Sequence, residues 1–238
     1  MKSIIFALFC IVAINLLPLS TAVDISHIPF YGNRENFHLP AAHALAYAEA
    51  IRSAEFEFGD WEYLNFDMIL PVLIDVSGDG IPLLLLAVKF EDYWGTNQYW
   101  NILFGYANGE IQRITERMAI GMMHIDGENL LSVGWVTDFG GSYDFYRVQN
   151  GAAEFVSTMR FVADWHGGTP HGEISIDSEE LSPEEYWEIL AATPTKRLMD
   201  RDHPGFVTPY STFEEYLSQS FTSDQLMQIF LDHAASVE

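Results

Sequence analysis

The hydrophobic pattern changes character along the chain, and each change marks an element. Ile4 to Leu17 is an apolar run broken only by Asn15, preceded by Met1-Lys2-Ser3 and followed by Pro18 and the small residues Ser20-Thr21-Ala22. A positive start, an apolar core and a small-residue site, in that order, are the pattern of a secretory leader. The run is shorter than the ~20 residues a membrane-spanning helix needs. Residues 1–22 are therefore expected to be a signal peptide cleaved near Ala22, giving a secreted or cell-envelope location. Residues 23–40, with Pro, Gly, Asn and His among apolar positions, predict an irregular N-terminal arm laid on the surface. From Ala41, apolar Ala44, Tyr47, Ala48, Ile51 and Ala54 recur at helical spacing, with His43, Glu49, Arg52 and Glu55 between them. That period predicts an amphipathic helix ending near Gly59.

The middle of the chain reads as strands. Met68–Ile74 and Pro82–Phe90 are apolar runs bounded by turn residues, the pattern of adjacent buried strands. Shorter runs follow at Tyr99–Tyr106, Glu110–Ile114, Ala119–Ile125, Leu130–Val136, Tyr143–Val148 and Glu154–Val162. Between them stand Asn108-Gly109, Asp126-Gly127, Gly140-Gly141 and Asn150-Gly151. Asn-Gly and Asp-Gly tolerate the positive φ angles of tight hairpins. Such short spacing leaves no room for the helical crossovers of a parallel sheet. Glu173–Ile176 suggests a last strand. Helix starts with capping residues then stand at Ser182-Pro183-Glu184-Glu185, Ser211-Thr212-Phe213-Glu214 and Thr222-Ser223-Asp224-Gln225. The last of these leads into Leu226, Ile229, Phe230 and His233 on one face. The expected fold class is α+β: an N-terminal helix, an antiparallel β-meander of about seven to nine strands, and C-terminal helices. Residues 41–192 would form the helix-plus-meander domain with its closing helix, and 193–238 a C-terminal helical extension.

Composition narrows the function. Asp and Glu number 34 against 11 Lys and Arg, and loss of Lys2 with the leader takes the formal charge from −23 to −24. A field of that sign repels phosphate backbones and anionic lipid. No nucleic-acid partner and no membrane insertion of the mature chain are expected. The only cysteine is Cys10, inside the leader. The mature chain then has neither a disulfide nor a thiol nucleophile, and its core alone must hold it together.

One motif carries a mechanism. Asp75-Val76-Ser77-Gly78-Asp79-Gly80-Ile81-Pro82 places oxygen-bearing side chains at alternate positions before a glycine, the first half of a calcium loop. Asp75, Ser77, Asp79 and the carbonyl of Ile81 are the candidate ligands of a weak calcium site. Loop positions 9 and 12 are Leu83 and Leu86, where an EF-hand has an oxygen ligand and a bidentate glutamate. The alternative for the same residues is an ion-free turn, with Asp and Ser side chains bonded to backbone N–H groups.

With its flanking apolar strands, this segment resembles the uncharacterised exported bacterial proteins that bear a D-x-[DN]-G-[DN]-G-x-P-E-L segment, similar in style to the calcium-loop repeats of integrin-type propellers. The resemblance extends to Gly141-Ser142-Tyr143-Asp144-Phe145-Tyr146-Arg147-Val148-Gln149-Asn150-Gly151. It also takes in Ile176-Asp177 and Leu181-Ser182-Pro183-Glu184-Glu185-Tyr186, and it covers about residues 41–192. Leu83 departs from it, standing where the family has glutamate. The resemblance implies an exported or envelope location and names no reaction.

Other groupings discriminate less. His166 and His171, with Asp164 and Glu173 nearby, fit no zinc spacing and read as a solvated loop. No nucleophile elbow, HExxH, phosphate loop or dinucleotide fingerprint occurs. Trp94, Tyr99, Trp100, Trp135, Tyr143 and Tyr146 read mostly as core, with Trp94 and Trp100 the better exposed candidates for a binding platform. The reading these features favour is an exported, non-enzymatic binding or interaction domain whose partner is an extracellular protein or glycan. The competing reading is a secreted, glycosidase-like hydrolase using paired carboxylates, which needs two of them facing across a cleft.

Overall fold

A computed structural model describes residues 24–58, 64–91, 97–118, 121–125, 129–137, 140–162, 174–176, 179–182, 185, 195–197 and 220–237. The leader, the Asp126-Gly127 and Ser211 segments, Trp94, His166 and His171 lie outside them.

The described chain is α+β. Strand β1 (Phe30–Tyr31) is followed by helix α1 (Ala41–Phe58), then β2 (Leu64–Ile74), β3 (Leu83–Glu91), β4 (Asn97–Ala107) and β5 (Glu110–Met118). These five strands form the first sheet, in chain order. A second sheet begins with β6 (Gly121–Ile125), β7 (Leu130–Thr137), β8 (Gly140–Gln149) and β9 (Ala152–Val162). Short strands β10 (Ile174–Ile176) and β11 (Glu179–Leu181) extend one side of it, and β12 (Thr195–Arg197) pairs with β6 on the other. Helix α2 (Ser223–Val237) closes the chain. Within each sheet the long strands pair antiparallel with their sequence neighbours. The meander expected from the turn residues is therefore present, divided between two sheets.

The elements stack in three layers. Ala44, Tyr47, Ala48, Ile51 and Ala54 of α1 are buried, as their spacing predicts, and pack with Leu226, Ile229 and Phe230 of α2 against one face of the first sheet. That face presents Ile69, Leu73, Leu84, Leu86, Val88, Ile102 and Phe104. The opposite face presents Leu70, Val72, Ile74, Leu83, Leu85 and Leu103, and packs against Leu131, Val133, Val148 and Ala153 of the second sheet. A sheet covered on both faces needs apolar residues at every position, which explains the unbroken Leu83-Leu84-Leu85-Leu86. The expected cap of α2 forms as a reciprocal pair: the Gln225 N–H donates to Thr222 Oγ1 at 3.2 Å, and the Thr222 N–H to Gln225 Oε1 at 3.0 Å.

Four expectations are corrected. The N-terminal arm is mostly exposed but not simply laid on the surface. Ile28 and Leu39 are wholly buried, and β1 pairs parallel with β2, because Pro29 and Tyr31 offer carbonyls to the free edge of that strand. The segment 220–237 is no extension: Leu226 and Phe230 complete the core beneath α1, and Phe221 bridges to Ile69 of β2. Gly140-Gly141 is not a turn. Both residues lie in β8, opposite Thr137 and Val136 of β7. Trp100 is less exposed than expected, partly buried against the core between the helices and the first sheet.

Candidate functional site

Loop 75–82 joins β2 to β3 and reaches three other parts of the fold. Asp75 is buried, and both of its carboxylate oxygens accept backbone N–H groups, Oδ1 from Gly78 at 2.8 Å and Oδ2 from Gly80 at 2.9 Å. Its own N–H donates to the Tyr31 carbonyl at 2.8 Å, tying the loop to β1. The Gly80 carbonyl accepts from the His38 N–H at 2.8 Å, which ties the loop to the segment leading into α1. Gly80 has φ +88°, and a Cβ there would collide with the Asn36 carbonyl oxygen, so the position requires glycine twice over.

Asp79 makes the long-range link. Its Oδ1 accepts from the Ile81 N–H at 2.8 Å, and its Oδ2 accepts at 2.6 Å from the N–H of Asn150, in the β8–β9 turn. Asn150 and Gly151 both have positive φ, as the dipeptide predicts, and a Cβ on Gly151 would sit 2.8 Å from Ile81 Cγ2. Nearby, the Tyr106 N–H donates to the Gly151 carbonyl at 2.9 Å. Gln112 then pairs with Ala153 like a piece of backbone: its Oε1 accepts the Ala153 N–H at 3.0 Å, and its Nε2 donates to the Ala153 carbonyl at 2.6 Å. Loop and turn together fasten the second sheet to the first.

The sequence-assigned oxygens do come together. Ser77 Oγ lies 2.6 Å from Asp79 Oδ2 and 3.3 Å from Asp75 Oδ1. Calcium takes six to eight oxygens. With the Ile81 carbonyl, four are in prospect here. Leu83 and Leu86, at positions 9 and 12, are fully buried on opposite faces of the first sheet and supply none. Among the described residues, no group of three or more His, Cys, Asp or Glu side chains could hold a metal ion. The donor set amounts to about half of a calcium shell, and its carboxylates already satisfy the backbone. A calcium ion here would need water or a distant carboxylate to complete its shell.

A second region was not foreseen. On β9, Phe155 is 55% exposed and Val156 is 42% exposed, beside the half-buried Tyr146. The Tyr146 and Phe155 rings meet edge to face with centroids 5.8 Å apart, and the Tyr146 hydroxyl donates to the Ile114 carbonyl at 3.2 Å. The β8–β9 register shifts between Phe145 and Tyr146, so Val156 is the extra residue of a bulge. The signal was present in the sequence: two adjacent apolar residues in a strand cannot both face the same core.

No protein-family model, no curated protein and no solved structure matches the chain. Among the described residues no helix is long and apolar enough to cross a membrane.

Proposed function

We propose that the chain is an exported, non-enzymatic interaction domain that binds a protein partner through Phe155 and Val156. The observation that carries this reading is a rigidly backed, exposed aromatic side chain on a sheet. Aromatic anchors of this kind dominate protein interfaces because they bury much area for little lost freedom. The strongly negative formal charge, −23 for the full sequence, selects for a partner with a basic rim around an apolar centre. The leader pattern supports export, and likeness to the exported bacterial proteins points the same way. To test it, a photo-crosslinking residue is placed at Val156 in the secreted chain, whose first residue should read as Val23 on N-terminal sequencing. A crosslinked polypeptide is expected, lost with Phe155→Ser and kept with Phe56→Ser, an exposed control on α1. Binding to a glycan array that Phe155→Ser abolishes would overturn the choice of a protein partner.

Loop 75–82 has a separate role in this reading. It is a latch held by Asp75 and Asp79, with hydrogen bonds in place of an ion. Melting should be the same in millimolar calcium and in EDTA, and Asp79→Ala should lower it in both. The Asp79 carboxylate receives two backbone donors, and charge-assisted bonds contribute about 1.5–3 kcal/mol each when their loss strands a donor. A rise in melting temperature with calcium, abolished by Asp79→Ala, would restore calcium, with Asp75, Ser77, Asp79 and Ile81 as its ligands.

A further inference from the structure

His43 stands in the first turn of α1, where the helix, loop 75–82, β4 and the Asn150-Gly151 turn converge. Its ring meets that of Tyr106 edge to face, with centroids 4.7 Å apart. The other side is closed by the turn: a Cβ on Gly151 would lie 3.2 Å from both His43 Cδ2 and Nε2. Neither ring nitrogen is accessible to water, and neither makes a hydrogen bond of good geometry, although the Asn150 backbone lies close enough to favour the charged ring. A buried polar atom without a partner is rare and costly, and it marks a place where structure is traded for something else.

We propose that this junction is an acid-released latch, with the imidazole of His43 as its trigger. In the closed junction the neutral ring is tolerated as a flat, apolar wedge between Tyr106 and Gly151. A proton would put a full charge and a second N–H donor into a space that offers no water. The ring escapes by parting α1 from the Asn150-Gly151 turn, which pulls on the bond between Asp79 and the Asn150 N–H. Hydration of the imidazolium then holds the junction open.

The surrounding groups set the direction of the response. Burial, the largest effect, and the neighbouring His38 favour the neutral ring, whereas the Asn150 backbone and the Asp79 carboxylate favour the charged one. The Tyr106 ring closes the β4 side. Burial prevails, and His43 is held below its ordinary value of 6.5. The open or unfolded chain therefore takes up a proton near pH 6.5 while the closed one does not. Closure is unaffected above pH 6.5 and weakens as pH falls through it, by up to about tenfold per pH unit until the closed form also titrates.

Amide hydrogen exchange tests this directly. Protection factors for the Asn150 N–H, corrected for intrinsic exchange, should fall as pH drops from about 7.5 to 5, while those of the β2–β3 ladder hold. In His43→Phe the Asn150 protection should stay level across that range. If this variant fails to fold, the wild-type chain still decides the matter through the NMR titration of the His43 ring. An imidazole titrating at or above 6.5 in the folded chain overturns the proposal, as does an equal loss of Asn150 protection in wild type and variant.

Discussion

The two meanders, β2–β5 and β6–β9, share their local construction and differ in their surroundings. Each ends in an Asn-Gly hairpin with both residues at positive φ, 55° and 86° in the first, 51° and 71° in the second. Each has a bulge at the same distance from that turn. The register shifts between Leu103 and Phe104 in the first and between Phe145 and Tyr146 in the second, and it leaves Ile114 and Val156 as the extra residues. Phe104 stands to Asn108 as Tyr146 stands to Asn150. The first meander is enclosed between helices and sheet. The second shows its apolar side to the first, where Leu131 and Val133 are buried and the preceding Leu130 is only half-buried at the start of β7. The shared turn and bulge are written in a few residues. The layer a meander occupies is written in the parity of its apolar positions.

The largest expected effect tests that parity. In the first sheet, Leu83 and Leu84 are both fully buried, on opposite faces. Leu83→Ala and Leu84→Ala should each cost about 2–5 kcal/mol in urea unfolding, the usual range for truncating a buried leucine. In the second sheet Leu131→Ala should cost a similar amount, and Leu130→Ala well under half of it. Equal losses at Leu130 and Leu131 would mean that the second sheet is enclosed on both faces as well, and the contrast between the layers would disappear.

What could be read in advance follows the same division. Helix α1, the buried pair β2–β3, the turns at Asn108-Gly109 and Asn150-Gly151 and the cap at Thr222 all rest on residues near one another in sequence, where period, φ preference and capping chemistry act. The arm and the closing helix were misjudged because their burial is decided by distant partners. Ile28 is buried because β2 leaves an edge free for β1, and Phe230 because α1 needs a neighbour for Tyr47, whose ring it meets at 5.8 Å. Gly140-Gly141 looked like a turn because glycine marks both turns and strands under close approach; here it opens β8. In the candidate site, the clustering of Asp75, Ser77 and Asp79 was legible. The acceptance of the Asn150 N–H by Asp79 was not, since nothing in either segment names the other.

The smaller effects are expected at glycines, and they separate the shared turn from its setting. Gly109 and Gly151 hold the same position in equivalent hairpins, both at positive φ. A Cβ on Gly109 would meet nothing within 4 Å, so Gly109→Ala should cost only the conformational term, about 1–2 kcal/mol. On Gly151 the same Cβ would press on Ile81 at 2.8 Å and on the His43 ring at 3.2 Å. Gly151→Ala should therefore cost clearly more than Gly109→Ala, although the backbone angles are alike. Gly80→Ala calibrates the upper end, because the colliding Asn36 carbonyl is backbone and cannot rotate away. The predicted order of loss in urea unfolding is Gly80, then Gly151, then Gly109. The gap between the last two measures how tightly the β8–β9 turn is clamped onto the latch. If Gly109→Ala and Gly151→Ala prove equal, the turn is not clamped. The second sheet would then be held to the first through its apolar face, Gln112 and the Tyr146 hydroxyl.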